Sequence, residues 1–310
     1  MATPARVLAS VATGLETIAC DEVADKLGSA AGAPSIRPGS LRLTVAREAL
    51  PRLSALRCAG QLTLLVQEDV AFFSGRKGAL QADVDRLREL GSTVDWVGGL
   101  LLRDSLLGRV QQQQQPQQQP PVRFRVTCKR TTAVDGRDIG VQHGFSSVQA
   151  AAELGGAIAQ AMGGRWVVSL KEFDLDITMA IAGRELTLGL KAAVAGGGAE
   201  SSARTGRVGS TAGLMLGRTS LKVALAHAMS RLALGNEAGE ATAAEGSGLT
   251  LDPMCGSGCI GLESASYWPK IVSLGGDVEP KEVRRLGRSL TTLRQSTALQ
   301  LRPAGDAAAT

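Results

Sequence analysis

The sequence predicts a chain that joins an α+β unit to an α/β unit, and three observations carry that prediction. Val122-Arg123-Phe124-Arg125-Val126-Thr127 alternates apolar and polar residues with the period of a half-buried strand, and a helical stretch and a hairpin follow it. Leu251-Asp252-Pro253-Met254-Cys255-Gly256-Ser257-Gly258-Cys259-Ile260-Gly261-Leu262-Glu263 reads as a strand ending in an acid, a glycine-rich turn, and a helix. Ile271-Val272-Ser273-Leu274 then supplies a second strand, the strand–helix–strand order of an α/β sheet.

Residues 1 to about 110 form the first ordered region. Val7-Leu8-Ala9 reads as a strand, and Thr13-Gly14-Leu15 leads into a helix from Glu16 to Leu27 with Ile18, Ala19, Val23 and Leu27 near helical spacing and Gly28 as its stop. Leu41–Val45 alternates as a strand, helical patterns cover Ala46–Leu56 and Gln81–Leu90, and Leu62–Val66 is strand-like between them. The Gln/Pro tract at 111–121 carries no apolar surface and reads as a disordered insert. In the second region, 122–193, Ser146 or Ser147 caps a helix running to about Met162, and Asp174–Ile181 and Glu185–Leu190 are strands joined at Ala182-Gly183-Arg184. Residues 194–213 read as a Gly/Ser-rich linker. In the third region, 214–310, Leu221, Leu225, Met229 and Leu232 form an expected apolar helix stripe. A low-complexity loop, Asn236–Gly248, precedes the glycine turn. Pro280–Leu301 reads as a basic helix with Val283, Leu286, Leu290 and Leu293 on one face, followed by an unstructured tail at 302–310.

Composition narrows the function classes. The 310 residues carry a net charge of +5 with a pI near 9.1, a balance that permits a nucleic-acid partner without requiring one. Aromatic residues make up 3%, which argues against a binding site built mainly from stacked aromatic platforms. Cys20, Cys58, Cys128, Cys255 and Cys259 are scattered without zinc-ligand spacing and read as reduced thiols. His143 and His227 read as structural or exposed histidines. No apolar run reaches the length of a membrane span. The N-terminus lacks the pattern of a targeting segment, with Glu16, Asp21 and Glu22 arriving early. A cytoplasmic location is the expectation.

Gly256, Gly258 and Gly261 satisfy the dinucleotide pattern G-x-G-x-x-G, so a pyrophosphate site is the first reading to weigh. Asp252 opposes it. A carboxylate at the strand end repels a pyrophosphate but attracts the ammonium of a methionine moiety, which favours S-adenosylmethionine over NAD. Asp277, just beyond the second strand, stands where an acid accepts hydrogen bonds from ribose hydroxyls, with Glu279 as a fallback for that role. The cofactor-binding set is therefore Asp252, Pro253, Cys255, Gly256, Gly258 and Asp277. Arg123, Arg125, Lys129 and Arg130 are the expected phosphate contacts, since no acid interrupts them along the strand.

Asp252-Pro253-Met254-Cys255-Gly256-Ser257-Gly258, followed by Ile260, Leu262 and Glu263, resembles the first motif of the THUMP-domain RNA methyltransferases. Ala12-Thr13-Gly14-Leu15-Glu16 with Asp21-Glu22-Val23 resembles their ferredoxin-like N-terminal segment. Phe124–Arg130 resembles a strand of the THUMP domain. Arg218-Thr219-Ser220-Leu221-Lys222, through Ala226 and Met229, resembles the helix before the cofactor loop. The nearest branch is the eukaryotic THUMP domain-containing protein 3 type. The resemblance implies a ferredoxin-like segment, a THUMP domain and the start of a Rossmann-like class I methyltransferase sheet. It further implies methylation of guanine N2 in tRNA with S-adenosylmethionine, with Thr219 or Ser220 lining the cofactor pocket and a small zinc-binding activator subunit as a possible partner. The family's Asp/Asn-Pro-Pro-aromatic acceptor motif does not occur after Asp277. Two expectations follow: an enzyme whose methyltransferase domain is truncated here, or a non-catalytic tRNA-binding module with a vestigial cofactor loop.

Overall fold

The computed structural model describes residues 3–75, 77–109, 120–131, 133–134, 137–138, 143–193, 221–235, 248–268 and 271–296. The Gln/Pro tract at 111–119, the linker at 194–213, Thr219, Ser220, the 236–247 loop and the 302–310 tail lie outside the described residues.

The strands are β1 (Ala5–Val11), β2 (Ser35–Arg37), β3 (Ser40–Val45), β4 (Ala59–Asp69), β5 (Val122–Thr131), β6 (Ala133–Val134), β7 (Arg137–Asp138), β8 (Trp166–Val168), β9 (Leu175–Ala182), β10 (Glu185–Ala193), β11 (Leu249–Asp252) and β12 (Val272–Gly275). The helices are α1 (Glu16–Leu27), α2 (Leu80–Thr93), α3 (Trp96–Leu106), α4 (Ser147–Ala161), α5 (Val223–Leu234), α6 (Cys259–Tyr267) and α7 (Pro280–Ser296). Eight strands form one sheet in the order β2-β3-β1-β4-β10-β9-β5-β8, and β11 and β12 form a separate parallel pair.

The large sheet is continuous across the first two ordered regions because β4 pairs with β10. One row of apolar side chains makes this concrete: Leu43, Val7, Leu64, Leu190, Ile177 and Val126 are successive register partners across six strands. The row faces the helices and forms the floor of the core, in which Val7, Leu190 and Ile177 are fully buried. The adjacent row, Arg42, Leu8, Thr63 and Lys191, runs on the opposite face, which is the polar one.

Local chemistry accounts for several boundaries. Ser146 caps α4 by accepting the Gln149 N–H at 3.0 Å, and Gly28 ends α1 at φ 55°. The β9–β10 hairpin turns on Gly183 at φ 59°. Two elements, the 47–55 stretch and α5, differ from expectation, and α3 is unanticipated. The 47–55 stretch is a run of 3-10 turns rather than an α-helix, because Pro51 lacks an N–H and crowds the preceding carbonyls. α3 emerges from an apolar run whose Gly98-Gly99 pair hides any helical period. Asp95 caps it through the Gly98 N–H at 2.9 Å, and a Cβ on Gly99 would overlap Val66. α5 does not bury its leucine stripe. Met229 is 43% and Leu232 71% exposed, Leu221 precedes the helix, and the buried face is Ala226, His227, Ser230 and Arg231.

α2 and α4 approach so closely at Gly91 that a Cβ there would lie 2.7 Å from the Ala157 carbonyl carbon and 2.9 Å from the Ile158 nitrogen. Gly91→Ala gains helix propensity of about 1 kcal/mol but forces two backbones apart, which costs about 1–3 kcal/mol. Urea denaturation should therefore show a less stable variant; a stabilised one would mean that the helices are free to separate there.

Candidate functional site

The glycine turn is built by the parallel pairing of β11 and β12. Thr250 faces Ser273 across the ladder, their hydroxyls 2.7 Å apart, and Asp252 faces Gly275. Beyond the strands the backbone is tied twice more: Gly276 N–H donates to the Asp252 carbonyl at 2.9 Å and Cys255 N–H to the Gly276 carbonyl at 2.8 Å. These bonds bring the ends of both strands, and therefore both acids, to one place.

Asp277 holds the turn. Its Oδ2 accepts the Gly256 N–H at 2.8 Å and its Oδ1 the Glu279 N–H at 2.9 Å. Those two backbone donors keep the carboxyl below the ordinary aspartate range. Each oxygen retains a second lone pair, so the group can still accept from a ligand hydroxyl. Asp252 Oδ1 accepts the Met254 N–H at 3.1 Å.

Gly256 and Gly258 of the turn have separate duties. Gly256 (φ 51°) and Gly258 (φ 82°) both occupy backbone space that L side chains avoid. A Cβ on Gly256 would meet open space, leaving room for a ligand against the backbone, whereas a Cβ on Gly258 would overlap Leu286 of α7. Cys255 is buried, and its Sγ would lie 3.0 Å from a Cβ on Gly275, so its side chain fills the strand end. Pro253 is exposed at the lip of the turn. Burial pushes the Cys255 thiol up, and the nearby Asp252 and Asp277 carboxylates push it further. Both carboxylates thus lie near the same thiol.

Sequence reasoning missed what supports this turn from below. Glu263, on the second turn of α6, receives Arg57 in a two-bond fork: Nε to Oε1 and Nη2 to Oε2, each 2.8 Å. Glu22 of α1 accepts the backbone N–H groups of Arg57 and Cys58 at 2.7 and 2.8 Å and the Lys26 ammonium at 2.7 Å. Arg231 pairs with Asp25, and the Ser230 and Ser264 hydroxyls lie 2.9 Å apart. The readable signal was Glu22, which falls on the apolar face of α1 between Ala19 and Val23.

The expected phosphate contacts lie together on β5, but their local freedom is less than the sequence suggested. No acid interrupts the strand itself; the parallel neighbour β9 and the segment before it supply them. Arg123 pairs with Asp174 at 2.9 Å and Glu172 at 3.1 Å, and Arg125 pairs with Asp176 at 2.8 Å while stacking on Phe173 at 3.8 Å. Arg130 donates to the Phe145 carbonyl and the Ser147 hydroxyl. Lys129 is exposed and has no ion pair among the described residues. The Asp174 carboxyl is held low by Arg123. Asp176, which burial alone would raise, is pulled below its ordinary range by Arg125, Lys191 and Thr127.

The Asp277 tie gives a pH dependence with a definite sign. Its folded-state pKa is depressed, so its support is present above the ordinary aspartate value of 3.8 and is lost as pH falls through the lower folded-state value. Amide exchange at Gly256 should be protected at neutral pH and lose that protection in acid below that range. Asp277→Asn should weaken it already at neutral pH, and equal protection in variant and parent would contradict the tie.

No profile of a described protein family matches the chain. Over 172 residues the chain is 28% identical to the tRNA (guanine(6)-N(2))-methyltransferase THUMP3 of Bos taurus, a match covering 56% of this chain and 28% of that protein. The Homo sapiens protein of the same name is 28% identical over 174 residues. The chain thus spans little more than a quarter of the length of these relatives. Among solved structures, TrmN from Thermus thermophilus is 25% identical with a TM-score of 0.62, over 96% of this chain and 72% of that one. A predicted N6-adenine-specific DNA methylase from Listeria monocytogenes, 18% identical with a TM-score of 0.60 over 96% of this chain and 74% of that one, shares the fold. In sequence the chain is similar to proteins named tRNA (guanine(6)-N(2))-methyltransferase THUMP3, and in fold it is similar to TrmN.

Proposed function

We propose that the chain binds S-adenosylmethionine at the 252–277 turn and tRNA through its N-terminal half, in the service of guanine-N2 methylation of tRNA in the cytoplasm. The observation that carries the cofactor assignment is the placement of Asp252 and Asp277 around one open glycine turn. Asp252 disfavours a pyrophosphate and suits an ammonium, whereas Asp277 suits the two hydroxyls of a ribose and does not choose between NAD and S-adenosylmethionine. When bound, S-adenosylmethionine supplies an electrophilic methyl group. Asp252 would hold the methionine ammonium, Asp277 the ribose hydroxyls, and the bare Gly256 backbone would let the ligand approach. Pro253 and Cys255 would shape the turn, Cys255 from beneath and Pro253 at the lip. Gly258 would let α7 close behind it.

For tRNA, Lys129 is an exposed charge of the β5 set with no ion pair among the described residues. Arg123, Arg125 and Arg130 are oriented by their protein partners, and a guanidinium keeps donors for a phosphate beyond those already used. A small zinc-binding activator subunit gains no support from the relatives or the geometry and is not part of this reading. The family's acceptor motif does not occur in these 310 residues. The chain by itself is therefore proposed to bind both ligands without transferring the methyl group. The second reading, a tRNA-binding module with a vestigial turn, differs in one respect: it binds no cofactor.

Two titrations on the 310-residue chain test this. Calorimetry should detect S-adenosylmethionine binding that Asp252→Asn weakens at least about tenfold, the loss of one charge-assisted hydrogen bond; no binding by the parent chain selects the vestigial reading. Filter binding should retain tRNA at low salt, with affinity falling steeply as salt rises. Lys129→Gln should flatten the log–log slope by about 1, one phosphate contact. No retention at low salt would overturn the tRNA assignment.

A further inference from the structure

His227 occupies the seam between the N-terminal unit and the glycine-turn unit. It is fully buried on α5, with Nδ1 3.0 Å from Glu263 Oε1 on α6 and Nε2 3.5 Å from Glu22 Oε1 on α1. Both ring nitrogens thus confront carboxylate oxygens, from two different elements. A neutral imidazole carries one N–H, so its other nitrogen would turn a lone pair on a carboxylate, whereas the doubly protonated ring presents positive charge to both. Neither buried nitrogen is aligned for a hydrogen bond, so the two contacts are ion pairs rather than hydrogen bonds.

We propose that His227 is held as an imidazolium bridging Glu22 and Glu263, so that one buried proton docks α6 and its glycine turn onto α1. The docking does not depend on which ligand the turn takes.

Three carboxylates and three cations surround the ring, so its proton adds one positive charge to a balanced cluster. From α1 come Glu22, Asp25 and Lys26; from the 56–58 segment, Arg57 and Cys58; from α5 itself, Arg231; from α6, Glu263. Arg57 pairs with Glu263, Lys26 with Glu22 and Arg231 with Asp25, so the other charges balance in pairs. The extra positive charge rests between two carboxylates and two aromatic rings, with Tyr267 and Trp268 centred 5.1 and 5.4 Å from the imidazole. Burial alone would raise the Glu263 carboxyl; the contact with His227 and the Arg57 fork pull it below the ordinary glutamate range.

Glu22, Cys58 and His227 also bring three metal-type ligand atoms within 4.8 Å of one another. A proton suits the cluster better than a metal. Glu22 is already engaged by three donors. The Cys58 thiol is pushed far up by burial and by Glu22, which leaves it protonated and a poor ligand.

The sign is fixed by geometry. A proton bound more tightly in the docked state than in the open chain stabilises docking at lower pH, and that contribution is lost as pH rises until the ring deprotonates. The sequence holds two histidines, His143 and His227, so imidazole nitrogen-15 spectra of the full chain are assignable with a His143→Gln variant. At neutral pH both His227 nitrogens should show protonated-type shifts. As the ring deprotonates at higher pH, hydrogen exchange at 259–267, corrected for intrinsic rates, should rise by at least about tenfold, one unit's worth of linkage, while β1 and β4 amides do not follow. His227→Gln should abolish that selective pH dependence. A single neutral tautomer at neutral pH, or 259–267 exchange indifferent to the titration, would overturn the proposal. If the variant does not fold, the spectra of the parent chain still decide it.

Discussion

The structure turns on the buried pair between Arg57 and Glu263. These side chains are 1% and 3% exposed and lie 206 residues apart in sequence, so their meeting defines how the glycine-turn unit sits on the N-terminal sheet. Burying two charges is costly, and the geometry offsets the cost through the two-bond fork and the Tyr267 ring 5.1 Å from the guanidinium. Glu22 completes the arrangement from the other side by holding the Arg57 and Cys58 backbone in place. An apolar seam of the same size would bind the units together with less orientation; the fork admits one register.

This constraint reaches the site through a short path. Glu263 lies on α6, whose first residue, Cys259, follows Gly258 directly. Fixing Glu263 therefore fixes the helix that begins at the turn. Behind the turn, Leu286 closes on Gly258, and in front the Asp277 carboxylate pins Gly256. The open space over Gly256 is thus framed by a buried salt bridge, a strand pair and one aspartate.

Much of this was legible from residue order. The alternation in 122–127, the caps at Ser146 and Gly28 and the hairpin at Gly183 are local signals and met local outcomes. Asp252 and Asp277 were readable as flanking one turn because parallel strands end on the same side. The seam was not legible, for a physical reason. α5 buries His227, Ser230 and Arg231 and exposes Met229 and Leu232, which inverts the hydrophobic pattern; only partners distant in sequence make the polar face the stable one. The arginines of β5 misled in a related way: their acids lie about 50 residues later, on β9 and in the segment leading into it, brought alongside by parallel pairing. Pro51 was a visible reason to doubt an α-helix over 46–56, and the glycine pair in α3 hid a helix that tertiary packing makes.

A double-mutant cycle across the seam tests the central claim most directly, with Arg57→Met, Glu263→Gln and the combined variant compared by chemical denaturation of the full chain. Each single change should cost about 3–5 kcal/mol, the penalty of stranding a buried charge, and the pair should show a coupling of about 2–3 kcal/mol, the upper range for residues in direct contact. Additive effects of the two changes would contradict the account, because the turn would then be placed by something other than this pair.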